Sequence, residues 1–319
     1  MNAPLPIVVQ GLGPIGVRIA EAALGEPSLQ VAGAVEINPE MVGRPLGEFV
    51  EGAPDVPIRD SVATARADAG GDDAILVHCT GSYLDRVAGQ VEEALGHGFH
   101  VVSTCEELTY PYERHPEIAA RIDTQARDAE RTVVATGVNP GFLMDALPAS
   151  LASISHGITS VAVRRVQDPS RRRIPFQQKV GMGLSVEEWE ARRDAGGFGH
   201  VGLVESARLL ADSLGWALTD WQHDMVPCRV DGQAAVAGTL ETLSGTTSDG
   251  RSVSLHFEAN AAVDEEYDEI VVDGTPPLTL RFDGGVFGDD ATAAAVLRAA
   301  RVIPNAPRGL VTVLDLPLR

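Results

Sequence analysis

A glycine-rich turn near the N-terminus constrains the fold of this 319-residue chain more than any other feature. The segment Gly11-Leu12-Gly13-Pro14-Ile15-Gly16 follows a short apolar stretch, residues 5–9, and precedes a helical pattern over residues 17–24. The G-x-G-x-x-G spacing between a strand and a helix is typical of a dinucleotide site, because its glycines allow a tight turn, an approaching pyrophosphate and close helix packing. The start of the helix also offers N–H groups and a positive dipole end to phosphates. The loop residues expected to contact a dinucleotide are Gly11, Gly13, Pro14, Ile15 and Gly16.

An acidic residue stands where such a site needs one. A second apolar stretch, residues 30–35, ends at Glu36, which lies 20 residues after Gly16. A carboxylate at this spacing accepts hydrogen bonds from the adenosine ribose and repels a 2′-phosphate. We therefore predict NAD as the cofactor. NADP is the alternative, because the positive charge of nearby Arg44 weakens the preference for NAD over NADP. A glycine turn can also be purely structural, so the agreement of strand, turn and acid is what favours a nucleotide site.

The composition limits the class of protein. The net charge is 25 − 45 = −20, which disfavours nucleic acid and anionic membranes as partners. Cys79, Cys105 and Cys228 show neither a disulfide framework nor zinc-ligand spacing, so we expect no metal and a reducing compartment. The first predicted strand begins almost at the initiator Met, with no basic n-region or long apolar h-region before it, so we expect no secretory leader. No stretch comes near the ~20 apolar residues of a membrane span. We therefore expect a cytoplasmic protein.

Apolar strands alternate with helical patterns over the first part of the chain. Strands are predicted over residues 74–79, 100–104 and 132–135, with helices over 84–96 and 116–130. This alternation predicts a doubly wound parallel sheet, and hence a Rossmann domain over residues 1–140. Ligands of such sheets lie beyond the carboxyl ends of the strands. The residues expected to line the cofactor there are Thr80, Gly81, Ser82, Thr104 and Asn139. The first three can equally cap the helix that follows them.

The sequence pattern changes after Pro140. A helix is predicted over residues 142–153, helices also over 185–195 and 201–214, and strands over 158–166, 236–243, 253–259, 269–272 and 278–282. Asp249-Gly250 between two of these strands is a hairpin signal. We predict an α/β protein whose second domain, residues 141–288, is an α+β substrate and oligomerisation domain with a largely antiparallel sheet. An Ala-rich helix from Asp289 to Arg301 is expected to return to the first domain, so that residues 289–319 join it.

Two acids follow the strand over residues 100–104. Glu106 and Glu107 stand at the sheet edge where a nicotinamide ring would lie. A carboxylate there can hold an ammonium group or transfer a proton, provided that partial burial tunes its pKa. The pair can equally begin a helix and interact with its dipole. The spacing alone leaves these two interpretations open.

Structural explanations are favoured for the neighbouring polar residues. Cys105 could be the thiolate of an aldehyde-oxidising enzyme, but no histidine stands at a recognisable partner position, and a small apolar role is favoured. Asn139 orients a ligand or caps a helix. Asp145 is expected to be solvated or paired with a helix dipole, and His200 to be a cap or packing residue. Internal or interface pairing is expected for the basic residues Arg164, Arg165, Arg171, Arg172 and Arg173.

Together these motifs resemble the native amine dehydrogenases and 2,4-diaminopentanoate dehydrogenases, whose fold is akin to dihydrodipicolinate reductase. The matching stretches are the glycine loop, Ser-Thr-Cys-Glu-Glu-Leu at 103–108, Gly-Val-Asn-Pro-Gly-Phe at 137–142 and Asn-Ala-Pro-Arg-Gly-Leu-Val-Thr at 305–312. They touch both ends and the middle of the chain, so a full-length resemblance is expected. The chain has no His-His pair, whereas true dihydrodipicolinate reductases carry a His-His-x-x-Lys stretch, and this difference argues against that reaction.

The resemblance implies a reversible, NAD(P)-dependent interconversion of a small amine or diamine and a carbonyl compound plus free ammonia. It also implies that a glutamate of the Cys-Glu-Glu stretch binds the amine or ammonia. Both Glu106 and Glu107 are candidates for this catalytic residue, and Glu106 is favoured because it is the first residue past the strand. Apolar walls of the substrate pocket are expected from Phe142, Leu143 and Met144, and a homodimer is expected. The alternatives are a dihydrodipicolinate reductase-like imine or enamine reductase and a non-catalytic NAD(H)-sensing protein.

Overall fold

The computed structural model describes residues 3–196, 198–230, 232 and 234–317. These residues form two compact units, of which one comprises the chain up to Phe142 and from Gly288 onward, and the other comprises Leu143–Phe287. The predicted first domain includes residues 1, 2, 318 and 319, which lie outside the described residues. Strands and helices are numbered below in chain order.

The first unit contains a parallel sheet. Its strands are β1 (Leu5–Gln10), β2 (Leu29–Val35), β3 (Ile58–Arg59), β4 (Ile75–His78), β5 (His100–Ser103), β6 (Thr132–Ala135) and β13 (Gly309–Val311). Their spatial order is β13-β6-β5-β4-β1-β2-β3, and every pairing is parallel. The helices of this unit are α1 (Pro14–Leu24), α2 (Val62–Ala69), α3 (Leu84–Gly96), α4 (Pro116–Asp128) and α9 (Gly288–Val302). The predicted Rossmann fold is confirmed.

Apolar runs explain why these strands are central. Ile75, Leu76 and Val77 are fully buried, as expected for a parallel strand that is covered on both faces. Helix α3 turns its buried Val87 and Val91 towards the same core, at the four-residue spacing of one helix face. The C-terminal helix α9 packs against α1, and Arg18 Nε donates to Asp290 Oδ1 over 2.7 Å.

The second unit is built on a mixed, mostly antiparallel sheet. Its strands are β7 (His156–Gln167), β8 (Asp220–Cys228), β9 (Gly238–Thr246), β10 (Ser252–Asn260), β11 (Tyr267–Thr275) and β12 (Leu278–Asp283). Their order is β12-β11-β7-β10-β9-β8, and β7 with β10 is the parallel pair. The helices are α5 (Ala146–Ala152), α6 (Ile174–Lys179), α7 (Val186–Ala195) and α8 (Leu203–Ser213). Strands β9 and β10 pair antiparallel on either side of Asp249-Gly250, as the hairpin signal predicts.

Some local predictions are wrong. The helix expected over residues 142–153 begins only at Ala146, because Asp145 adopts a non-helical conformation and caps it. Of the two roles expected for Asp145, the solvated one is wrong, since it is 0% exposed and accepts from Ala146 N and from Ser206 Oγ, at 2.6 and 2.7 Å. Its position as N-cap of α5 agrees with the other role, pairing with a helix dipole. Five further elements of the structure were not predicted from the sequence: β3, α2, α6, β8 and β13.

Two further features bear on partners. Among the described residues, no helix is both long enough and apolar enough to cross a membrane. Over the same part of the chain, no three His, Cys, Asp or Glu side chains are grouped so that they could hold a metal ion.

Candidate active site

The carboxyl ends of five neighbouring strands meet at one edge of the parallel sheet. The residues paired across this edge are, in spatial order, Ala135, Ser103, His78, Gln10 and Val35. Backbone hydrogen bonds of 2.8–2.9 Å extend each pairing by one residue. Because neighbouring strands are about 4.8 Å apart, the segments that follow them lie side by side. This edge therefore brings together the glycine loop, Glu36, Thr80 and Thr104.

The glycine loop has the geometry that a dinucleotide requires. Gly11 has a φ of +88°, and a Cβ there would lie 2.9 Å from Cys79 O. A Cβ on Gly16 would meet Gly11 O at 1.9 Å, so α1 packs closely against the turn. Gly13 differs, since it is exposed and, apart from its chain neighbours, nothing lies within 4 Å of its would-be Cβ. Gly13 is also the N-cap of α1 and provides no side-chain cap. The open space in front of this helix end fits a pyrophosphate group.

Glu36 is aimed at that loop. Its Oε2 accepts a hydrogen bond from Leu12 N at 2.8 Å, while its Oε1 accepts from Ile37 N and Asn38 N at 2.7 and 3.2 Å. Ile37 is 87% exposed beside it, which provides an apolar surface next to the carboxylate that sequence reasoning missed. Arg44 is engaged elsewhere, since its Nε donates to Glu48 Oε2 over 2.9 Å.

The ends of β4 and β5 are joined by a buried histidine that the sequence analysis also missed. His78 is fully buried, and its Nδ1 lies 2.9 Å from Ser103 Oγ. Its Nε2 lies 2.7 Å from Thr80 Oγ1 and 3.1 Å from Gln90 Oε1. Burial lowers the pKa of His78 to about 4, so the imidazole is neutral at physiological pH. The hydroxyl of Thr80, predicted to line the cofactor, is thus held by Gln90 and His78.

The structure separates the two acids that the sequence left as alternatives. Glu107 is 5% exposed and accepts from Leu84 N, Arg114 Nη1 and His115 Nε2, at 2.8, 2.8 and 2.9 Å. Its carboxylate therefore caps the N-terminus of α3 although it is 23 residues away in the sequence, and residues 80–82 do not provide the cap that was considered for them. The same carboxylate links α3 to Arg114 and His115, in the segment before α4. Glu106 begins the same short 3-10 turn and is partly exposed.

We expect Glu107→Ala to destabilise the protein by about 3 kcal/mol, because it leaves the buried Leu84 amide without its acceptor and removes the contacts of Glu107 with Arg114 and His115. Chemical denaturation measures this loss as a fall in the free energy of unfolding. Glu117→Ala is the matched control, since Glu117 is an exposed acid in the first turn of α4. Equal stability of the two variants would contradict the structural role of Glu107.

Cys105 is a buried structural residue. It is fully buried, and its Sγ donates to Ser82 O over 3.3 Å. Burial raises the pKa of the thiol well above its usual range, so the nucleophilic thiolate is not populated at neutral pH. This geometry agrees with the small apolar role favoured from the sequence.

The remaining predicted pocket residues differ in exposure. Asn139 is partly exposed. Phe142 is 44% exposed, whereas Leu143 and Met144 are buried. Of the three residues predicted as apolar walls, Phe142 has the largest exposed fraction.

The other candidates from the sequence have partners within the second unit. His200 packs against the ring of Phe257, with centroids 4.5 Å apart, and its backbone N donates to Glu241 Oε2. Arg165 and Arg171, of the arginine group, lie next to acidic residues of the same unit. The buried Arg165 lies 3.7 Å from Asp268, and Arg171 lies 3.2 Å from Glu266.

The comparisons with known proteins agree with a dehydrogenase fold. The chain resembles the 2,4-diaminopentanoate dehydrogenase of Acetoanaerobium sticklandii, with 26% identity over 98% of this chain and 93% of the relative. Among solved structures, an amine dehydrogenase from Mycobacterium smegmatis superposes with a TM-score of 0.84 at 23% identity, covering 99% and 97% of the two chains. A scyllo-inositol dehydrogenase from Lactobacillus casei, solved with NAD(H) and scyllo-inositol, gives a TM-score of 0.60 at 12% identity, covering 93% and 87%.

The fold, the glycine loop and these likenesses define the class of the protein: it is an oxidoreductase with a Rossmann nucleotide-binding domain. Residues 142–319 match the family model described as 2,4-diaminopentanoate dehydrogenase C-terminal domain. The chain belongs to this family, and the resemblance noted from its motifs is confirmed.

Proposed function

We propose that this protein is an NAD-dependent amine dehydrogenase that interconverts a small amine or diamine and a carbonyl compound plus ammonia. The observation that carries the proposal is the partly exposed Glu106 directly beyond β5. The strand ends on the same sheet edge lead into the glycine loop and Glu36. The names of the A. sticklandii relative and the M. smegmatis neighbour support an amine as the substrate.

The cofactor assignment rests on the loop and on Glu36. The nicotinamide ring supplies a hydride acceptor for oxidation and a hydride donor for the reverse reaction. Gly13 leaves room for the pyrophosphate, and the carboxylate of Glu36, oriented by the Leu12 amide, favours a ribose with free hydroxyls. The neighbouring L. casei structure with NAD(H) supports a nicotinamide cofactor on this fold.

In the proposed mechanism Glu106 carries out the proton transfers. An alkylammonium group with a pKa of about 10 must lose a proton before its carbon can release a hydride. The carboxylate accepts that proton and passes it to solvent, so that Glu106 is deprotonated again before water attacks. Once the hydride has left, the substrate is an iminium ion; water adds to its carbon, and the same carboxylate accepts the proton of the water. Protonation of the nitrogen and cleavage of the C–N bond then release ammonia and leave the carbonyl compound.

The two units divide these tasks in our proposal. The first unit holds the cofactor and Glu106, and the second binds the substrate and provides the contact of a homodimer. The apolar surface of Phe142 favours a substrate with few charges. We propose a cytoplasmic location, which the free thiols of Cys79, Cys105 and Cys228 support.

Turnover with a panel of short amines and diamines tests the reaction. We expect NADH and ammonia to form in equal amounts from at least one amine. Reduction of a cyclic imine without ammonia exchange would favour the dihydrodipicolinate reductase-like alternative. Tight NAD(H) binding without turnover of any amine or ketone would favour the sensing protein.

We expect Glu36→Ala to shift the cofactor preference towards NADP. The variant loses a charge-assisted hydrogen bond to the ribose and no longer repels a 2′-phosphate, so the ratio of kcat/KM for NADP to that for NAD should rise about 10- to 100-fold. Glu40→Ala, an exposed acid on the same loop, is the control. A wild-type protein that uses NADP as well as NAD would refute the predicted preference.

A further inference from the structure

A buried histidine lies directly beneath the strand ends of the candidate active site. His78 is the last residue of β4 and contacts Ser103, the last residue of β5, through its Nδ1. Its Nε2 faces Thr80 in the turn after β4 and Gln90 on α3. One side chain thus joins two neighbouring loops of the site, and the mechanism above gives it no part.

The orientation of the Gln90 amide assigns the tautomer. With Oε1 of Gln90 facing the imidazole, that oxygen can only accept, so the proton is assigned to Nε2, facing Gln90 and Thr80. Nδ1 then accepts from the hydroxyl of Ser103. This leaves Ser103 Oγ as the acceptor for Cys105 N, at 3.0 Å. The chain of contacts therefore runs from the imidazole through the Ser103 hydroxyl to the backbone N–H of Cys105, the residue before Glu106.

We propose that His78 is a positioning residue, which holds the Ser103 hydroxyl so that the Cys105 amide, and with it the turn carrying Glu106, keeps its catalytic position. The inference rests on the proposed role of Glu106. His78 is fully buried and acts through Ser103, so it would affect the rate without touching the substrate or the cofactor. Its neutral form suits this role, since a protonated Nδ1 could no longer accept from Ser103.

Burial alone does not explain this arrangement, as a second histidine shows. His100 is also fully buried and begins β5, at the opposite end of the strand from Ser103. Its Nδ1 accepts from Thr132 N at 3.1 Å. The contacts of His100 support the sheet but lie away from the edge that carries Glu106. His100 therefore provides a matched control for the loss of a buried imidazole.

Substitutions of His78 by side chains of different length test its contact with Ser103 separately from its contacts with Thr80 and Gln90. The amide of Asn occupies the place of Nδ1, so His78→Asn keeps an acceptor for Ser103 and loses the contacts with Thr80 and Gln90. The amide of Gln occupies the place of Nε2, so His78→Gln keeps the latter contacts and loses Ser103. His78→Leu loses both.

The experiment combines kinetics with amide hydrogen exchange in the segment around residues 103–109. We expect His78→Leu and His78→Gln to lower kcat about 10- to 100-fold, because small displacements of a catalytic group are costly. The Kd for NAD should be unchanged in His78→Gln, which keeps the contact with Thr80. Exchange of the Cys105 amide should become faster in both variants. His78→Asn should keep most of kcat and the slow exchange, and His100→Leu should change neither.

The exchange result decides the inference independently of the reaction. If the Cys105 amide remains protected in His78→Leu, the inference is wrong whatever Glu106 does. It is equally wrong if exchange accelerates but kcat stays at the wild-type value while Glu106→Gln is inactive. Should Glu106→Gln be fully active, the proposed function fails, and faster exchange in His78→Leu would still show that His78 holds this turn.

Discussion

Glu106→Gln is expected to lower kcat for amine oxidation by about 10²–10⁴-fold, the usual cost of losing a positioned general base. Gln keeps the size of the side chain but cannot accept the proton of an alkylammonium group or of the attacking water. Binding of NAD, measured by titration, should be unchanged because the glycine loop and Glu36 are intact. The activity assay follows NADH and ammonia in the same sample.

Cys105→Ser separates this proposal from a thioester mechanism. Since the thiol is buried and its pKa is raised by burial, the variant should keep most of the amine-dependent activity apart from packing losses. An aldehyde dehydrogenase would instead lose its nucleophile and would release no ammonia. If Cys105→Ser is inactive while Glu106→Gln turns over normally, the amine mechanism is wrong.

The choice between Glu106 and Glu107 shows where sequence reasoning stopped. Both acids follow the same strand, so local spacing gives them the same expected role. Glu107 accepts hydrogen bonds from Leu84, Arg114 and His115. These contacts form only when α3 and the segment before α4 have folded around the turn, so the sequence does not show them. The glycine loop was predictable because all its constraints, turn, helix start and acid, are local in sequence.

Strand β8 was missed for a different physical reason. It is an edge strand that pairs with β9, and most of its residues from Asp220 to Val226 are exposed or only partly buried. An edge strand with little buried surface lacks the apolar alternation that identifies strands from sequence. The burial of Asp145 was also missed. One of its hydrogen-bond partners, Ser206, is 61 residues away in the sequence, so local spacing gave no sign of the contact.

Mild acid is expected to destabilise the protein through its buried histidines. Burial lowers the pKa of both His78 and His100 from 6.5 to about 4. Between these pH values the unfolded chain binds a proton at each histidine and the folded protein does not, so the free energy of unfolding falls as the pH falls. The slope is about 1.4 kcal/mol per pH unit for each histidine, and the stability lost by pH 4 is about 3 kcal/mol for each. Above pH 6.5 neither residue contributes to the slope.

Urea denaturation at a series of pH values between about 4 and 7 measures this dependence. Carboxylates that titrate near the lower end add their own slope, so the comparison between variants is what isolates the histidines. His78→Asn and His100→Asn should each remove about 1.4 kcal/mol per pH unit from the wild-type slope, whatever they do to stability at neutral pH. His97→Asn, at the exposed end of α3, controls for the substitution itself. Slopes that match the wild type in both buried-site variants would show that neither imidazole is kept neutral by the fold, which would also remove the basis for the acceptor role of His78 Nδ1.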